Sequence, residues 1–168
     1  MTSAETLTEL FDRIQEIVHV VVDGLGAALL NARIASGTNS VTWLVWHLTR
    51  IQDDHIAAAA GTEQVWTSEG WADRFGLPFD ASATGYGHSA EDVAAVSVQS
   101  GSLLTGYHHA VHRATIAYVA GLSDDELDRI VDESWDPPVT LGARLVSVIA
   151  DDLQHAGQAS YARGILGG

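Results

Sequence analysis

The run SVIADDLQHAGQ at residues 147–158 carries an acid and a histidine, Asp151 and His155, with no helix-breaking residue between them. In an α-helix a step of four residues turns about 40° beyond a full circle, so both side chains leave the same face. Apolar residues just before the pair, among them Leu145 and Ile149, predict that this helix is packed. A packed charge needs a partner or a metal ion. The run therefore predicts either a solvent-exposed acid beside a solvated histidine, or half of a metal site.

Hydrophobic periodicity predicts the fold around this run. Apolar residues recur at three- and four-residue steps in four segments, over about residues 5–32, 41–60, 90–120 and 140–166. Residues 61–88 are rich in aromatic side chains and predict a long crossover with one or two short helical turns. No run alternates with the period of a strand. The pattern predicts an all-α fold, an up-down four-helix bundle forming a single domain over residues 1–168.

Composition restricts the function. The chain has 168 residues, of which 46% are hydrophobic and 18% charged, which is typical of a globular protein. A formal net charge of −14 argues against a nucleic-acid partner and against an anionic membrane surface. Neither a signal peptide nor an apolar run of about 18 residues is visible, so we expect a cytoplasmic protein without a membrane span. The absence of lysine and the abundance of alanine and glycine are typical of a GC-rich bacterial genome.

The second predicted helix offers a candidate third ligand. His47 lies on one stripe with Leu44, Leu48 and Ile51 and should point inward, either as a hydrogen-bonded core histidine or as a ligand. Cofactor sites in helix bundles are built between facing helices. His47, Asp151 and His155 would supply two nitrogens and a carboxylate and leave metal positions open. That set is typical of catalytic Zn²⁺, with Ni²⁺ or Fe²⁺ as alternatives, and the absence of cysteine excludes thiolate ligands.

A rival site lies on the third predicted helix. His108 and His112 have the four-residue spacing of a metal-binding pair. No acid accompanies them, and the neighbouring Tyr107 and Arg113 indicate a polar face. The sequence leaves this alternative open.

Three further residues are candidates for a role near the metal or the substrate. Asp54 follows His47 by seven residues, nearly in line on the helix, and could accept a hydrogen bond or act as a base. His55 is turned about 80° from His47 and is a poorer candidate. Arg163 could meet a substrate carboxylate or a glutamate on a neighbouring helix. The alternative for each is a salt bridge at the surface or between helices.

Two motifs resemble those of a known family. The run NSVTWLVWHL at residues 39–48 resembles the second helix of DinB/YfiT-like proteins, and D-x-x-x-H-x-G-Q-x-x-Y-x-R-G at residues 151–164 resembles their last helix. The resemblance implies a four-helix bundle with a three-ligand metal site, commonly of three histidines. Asp151 stands where many members have histidine. The related mycothiol-dependent maleylpyruvate isomerase domain has an acid there, so the departure is compatible with metal binding.

The resemblance implies a metal-dependent enzyme that uses a low-molecular-weight thiol, as an S-transferase or isomerase. The sulfur would come from the cosubstrate because the chain has no cysteine, and an open metal position favours the nucleophilic thiolate. The alternative is a non-catalytic metal- or ligand-binding module of the stress response.

The tryptophans predict assembly. Trp43, Trp46, Trp66 and Trp71 exceed what one small bundle needs to bury, and exposed aromatic patches often form interfaces. We therefore expect a homodimer.

Overall fold

The computed structural model describes residues 1–167, and most of them are helical. The first half contains α1 (Ser3–Val22), α2 (Ala27–Asn31), α3 (Val41–Ala60), α4 (Val65–Ser68) and α5 (Trp71–Phe75). The second half contains α6 (Ala90–Ala95), α7 (Gly101–Val119), a 3₁₀ helix (Asp124–Asp128), β1 (Ile130–Asp132), β2 (Val139–Thr140) and α8 (Leu141–Leu166). The all-α class predicted from the sequence agrees with this content.

The four long helices pack side by side around one hydrophobic core. α3 packs against α8 and α7, and α1 packs against the same two helices. α1 and α3 barely meet, which makes them diagonal to each other. The α3–α8 contact, which carries the candidate site, therefore lies across the fold from the α1–α7 contact. α3 is buried on most of its surface, and its buried residues include the charged Arg50 and Asp53.

Caps set where the two site-bearing helices begin. The Ser40 side chain accepts a hydrogen bond from the Trp43 amide at 3.1 Å, and α3 ends at Gly61, whose φ of 69° is left-handed. The Thr140 hydroxyl likewise accepts from the Ala143 amide at 3.2 Å and starts α8. The apolar periodicity predicted both helices at about residues 41–60 and 140–166, close to the observed bounds.

Two of the four predicted helices are each divided. One helix was predicted over residues 5–32, but α1 ends at Val22. Gly24 then takes a φ of 74°, and α2 begins at Ala27. The segment predicted at residues 90–120 is broken between α6 and α7. There the Asn31 side chain accepts from the Val98 amide at 3.1 Å and donates to its carbonyl at 2.8 Å. A distant side chain therefore satisfies the backbone that a continuous helix would have paired.

The sequence showed no strand pattern, and the structure adds one short hairpin to the predicted helices. β1 and β2 pair antiparallel in a two-stranded hairpin that leads into α8. With three and two residues, these strands are too short for a period-two pattern to be visible in the sequence.

The crossover contains two short helices, α4 and α5, as predicted. Its tryptophans, Trp66 and Trp71, are buried, as are Trp43 and Trp46 of α3. The exposed aromatic patch on which the dimer prediction rested is therefore not formed by these residues, and the homodimer itself stays a prediction. No helix within residues 1–167 is both long and apolar enough to cross a membrane.

Candidate metal centre

α3 and α8 bring His47, Asp151 and His155 together. Each of the three offers one donor atom, and these atoms all lie within 4.8 Å of one another. His47 Nε2 is 4.0 Å from Asp151 Oδ2, and the two imidazole rings have centroids 4.7 Å apart. Residues more than 100 positions apart in the chain thus converge because α3 and α8 pack along their length.

Hydrogen bonding determines which nitrogen of His47 is available. Nδ1 lies 2.6 Å from the carbonyl oxygen of Thr84. A carbonyl only accepts, so Nδ1 carries the proton and Nε2 presents its lone pair toward Asp151. Burial lowers the pKa of His47 below its usual value, although the Thr84 carbonyl acts in the opposite direction. The imidazole is therefore neutral near pH 7, as a metal ligand must be.

The close approach of Thr84 depends on the next residue. Gly85 has a φ of 96°, and a Cβ placed there would lie 2.7 Å from His47 Nδ1 and 3.0 Å from the Trp46 ring. Only glycine accommodates both the backbone conformation and the contact. The Thr84 carbonyl can therefore approach His47 closely, because Gly85 has no side chain that would collide with the imidazole.

Two buried donor atoms of the site have no partner. Asp151 Oδ2 and His155 Nδ1 make no hydrogen bond with any described residue. Buried polar atoms are nearly always paired, so such atoms on adjacent side chains call for an explanation such as an ion. Donors bound to one ion with bonds of about 2.1 Å lie about 3–3.5 Å apart. The residues fit a metal, and ligation would draw the three side chains together.

Aromatic rings enclose the histidines. The Trp43 ring stacks on His47 with centroids 4.5 Å apart and an interplanar angle of 15°, and it lies 6.1 Å from His155. Trp43 Nε1 donates to Nδ1 of His88 at 3.2 Å, and His88 in turn stacks on Trp46. The wall limits the access of water to the imidazoles.

A second acid lies beside the site. Asp152 is fully buried on α8, and neither of its carboxylate oxygens has a hydrogen-bond partner within residues 1–167. Burial, and then the neighbouring charge of Asp151, raises the pKa of Asp152 well above its usual value. Burial therefore disfavours a negative charge on Asp152.

The comparison with known proteins bears on what this site does. The family model described as Mycothiol-S-transferase matches residues 6–168. The chain belongs to the mycothiol S-transferase family. A crystal structure of a conserved protein from Enterococcus faecalis has a TM-score of 0.92 and 32% sequence identity, covering 99% of this chain and 98% of that one. No curated protein matches the chain. The resemblance to DinB/YfiT-like proteins is confirmed.

The three other candidate residues, Asp54, His55 and Arg163, contact residues outside the group of His47, Asp151 and His155. Asp54 Oδ1 accepts from the Gln64 side chain at 2.7 Å, and His55 Nδ1 lies 3.3 Å from the Arg144 guanidinium. The Arg163 guanidinium donates to backbone carbonyls at the end of α1, including that of Asp23 at 2.7 Å. None of the three belongs to the group of converging donors found among the described residues. Their roles toward metal or substrate stay predictions.

The rival pair on α7 is divided between two environments. His108 is buried, whereas His112 Nε2 lies 2.8 Å from Asp12 Oδ1 on α1. Where the structure describes the chain, this pair does not join a group of three potential ligands. The α3–α8 site is therefore the better-formed metal candidate.

Sequence reasoning missed the residues that hold the ligands in place. Thr84 acts through its backbone carbonyl, which leaves no mark in its residue type. Arg50 and Asp53 lie in the polar run TRIQDDH at residues 49–55 of α3, and both are buried. Charged residues in such a run are usually exposed, so no signal in the sequence would have identified them.

Proposed function

We propose that this protein is a metal-dependent S-transferase that joins a low-molecular-weight thiol to an electrophilic small molecule at His47, Asp151 and His155. The observation that carries the proposal is the convergence of three donor atoms, two of them on side chains with unpartnered buried atoms. Membership of the mycothiol S-transferase family supports a thiol as cosubstrate. Zn²⁺ is the metal we expect first, with Ni²⁺ or Fe²⁺ as alternatives.

The reaction joins sulfur to an electrophilic carbon. The thiol loses its proton to a base or to water, its sulfur forms the new C–S bond, and the leaving group departs with the electron pair of the broken bond. A bound divalent cation supplies charge that favours the thiolate over the thiol. The sulfur comes from the cosubstrate because the chain has no cysteine.

The chain's own residues keep the donor set ready. His47 is held neutral by burial, with Nε2 available because Nδ1 donates to Thr84. Asp151 adds a negative charge that attracts a cation. Trp43 covers one face of His47 and keeps water from it.

The test combines metal content with turnover. Protein purified without added metal should contain roughly one ion per chain, and His155→Ala should lose both the metal and thiol transfer to a model electrophile. His109→Ala is the matched control, because His109 is exposed on α7. Unchanged metal content after separate replacement of His47, Asp151 and His155 by alanine would contradict the proposal. Metal binding without turnover of any thiol would favour the non-catalytic binding module instead.

Stability gives an independent measure. A metal that binds only the folded chain stabilises it by about 2.7 kcal/mol at a free concentration of 100 times Kd. Chelation should therefore lower the melting temperature of the wild type and leave that of His155→Ala unchanged.

Family membership also guides the remaining expectations. We infer an up-down four-helix bundle of DinB type, in one domain and with a homodimeric assembly. We further infer a bacterial, cytoplasmic protein with a small-molecule substrate and no nucleic-acid or membrane partner.

A further inference from the structure

Arg50 is a buried arginine one helical turn beyond His47. It has no exposed surface, and burying a guanidinium is costly unless its donors are paired. Nε donates to the carbonyl of Ala83 at 3.2 Å, and one terminal nitrogen donates to the carbonyl of Ala81 at 3.3 Å. The planar fork of arginine thus holds two carbonyls of the crossover at once, which the single ammonium of lysine does not reproduce.

The other side of the guanidinium is held by two residues. Nη1 donates to the Tyr107 hydroxyl at 3.2 Å and lies 3.6 Å from Asp53 Oδ2. Tyr107 in turn donates to Asp53 at 2.8 Å. Asp53 also accepts from the amides of Val65 and Trp66 at 2.9 and 2.7 Å. Asp53 therefore anchors the guanidinium and binds α7 and the start of the crossover, while Tyr107 adds one hydroxyl to this network.

The segment held by Arg50 is the one that contacts the metal ligand. Ala81 and Ala83 lie three residues and one residue before Thr84, whose carbonyl accepts from His47 Nδ1. A loop that is free to move would present this carbonyl to the imidazole only part of the time. The imidazole could then place its proton on Nε2, the nitrogen that must be bare to bind a metal.

We propose that Arg50 is a positioning residue for the metal centre: by holding the Ala81 and Ala83 carbonyls it places Thr84 so that His47 keeps its proton on Nδ1. The part of this proposal that concerns metal rests on the proposed function. The part that concerns the tautomer does not, because it applies to the metal-free protein.

The primary test compares Arg50→Lys with Tyr107→Phe. Arg50→Lys keeps a positive charge beside Asp53 and loses the two-carbonyl fork. Tyr107→Phe removes a hydroxyl from the same network and leaves the fork in place, so it is the matched control for a general loss of stability. The readouts are the ¹⁵N shifts of the His47 ring in metal-free protein, assigned with His47→Gln, and the affinity for Co²⁺.

We expect the wild type and Tyr107→Phe to show His47 protonated on Nδ1, and Arg50→Lys to show a mixture of tautomers. Loss of such an orienting partner typically lowers metal affinity by about 10–100-fold, so Arg50→Lys should bind Co²⁺ more weakly by that factor. Wild-type tautomer and affinity in Arg50→Lys would overturn the proposal, as would an equal loss in Tyr107→Phe.

A second variant covers poor folding of Arg50→Lys. Arg50→Met combined with Asp53→Asn removes both buried charges together, which avoids an unpaired charge in the core. The same mixture of tautomers is expected, and a single Nδ1–H form would overturn the proposal. If the wild type binds no Co²⁺, the proposed function fails, while the tautomer comparison still decides the role of Arg50.

Discussion

His108 should make the protein lose stability as the pH falls. It is 1% exposed on α7, and its Nε2 has no hydrogen-bond partner within the described part of the chain. Burial lowers its pKa from 6.5 to about 3, and the nearby His112 and His109 act in the same direction. The unfolded chain therefore takes up a proton below about pH 6.5 that the folded chain refuses. Stability is lost from there down to about pH 3.

The magnitude follows from the two pKa values. Between about pH 7 and pH 5 the unfolded state gains about 1.9 kcal/mol from protonation of this histidine, and the folded state gains almost nothing. A lower endpoint would approach the isoelectric point of about 4.6, where the protein would associate. The effect is a large part of the 5–15 kcal/mol that typically separates folded from unfolded domains.

The assay is urea unfolding at the two pH values in the presence of a chelator, which removes any contribution of metal. His108→Gln keeps a neutral polar side chain of similar size and cannot take up the proton. The fall in unfolding free energy should be smaller in this variant by about 1.9 kcal/mol. The remaining pH dependence includes His47 and His55, whose pKa values burial also lowers.

His109→Gln controls for replacing a histidine on the same helix at an exposed position. The reasoning is refuted if His108→Gln loses as much stability as the wild type between the two pH values. That result would mean that the folded protein protonates His108 as readily as the unfolded chain does.

Three further predictions follow from other parts of the molecule. Gly85→Ala should lower the unfolding free energy by about 2–4 kcal/mol and weaken metal binding, because its Cβ would lie 2.7 Å from His47 Nδ1. The control is Gly87→Ala, which also lies at positive φ but has no described atom within 4 Å of the added Cβ. It should lower the unfolding free energy in urea by only about 1 kcal/mol. Equal losses of unfolding free energy in the two variants would contradict the reasoning. Arg163→Gln should lower stability by about 1–2 kcal/mol and leave Co²⁺ affinity unchanged, because its guanidinium caps α1; weaker Co²⁺ binding would instead support a role at the site. Light scattering should give twice the 17.8 kDa chain mass, and a single-chain mass at tens of micromolar would contradict the homodimer.

Local patterns in the sequence predicted the helices that carry the site. The apolar periodicity of α3 and α8 gave bounds that the structure reproduces closely. The four-residue step from Asp151 to His155 placed both on one helix face. These features depend on residues within one or two turns of each other, which is the range over which periodicity and capping act.

The divided helices show where local patterns fail. Residues 96–100 contain no glycine or proline that would end a helix, but the Asn31 side chain, 67 residues away in the chain, pairs with the backbone at Val98. The short hairpin before α8 left no visible pattern because its strands have only three and two residues. Pairing across the fold has no signature in the sequence near either partner.

The sequence by itself determined the candidate ligands and the helices that carry them: His47 on an apolar stripe, and Asp151 and His155 on one face. Only the tertiary structure decided which nitrogen of His47 is bare, because that depends on the Thr84 carbonyl 37 residues away. It also decided that Arg50 holds the loop that carries this carbonyl. The physical reason is that a backbone carbonyl is the same in every residue, so its usefulness depends on where folding places it.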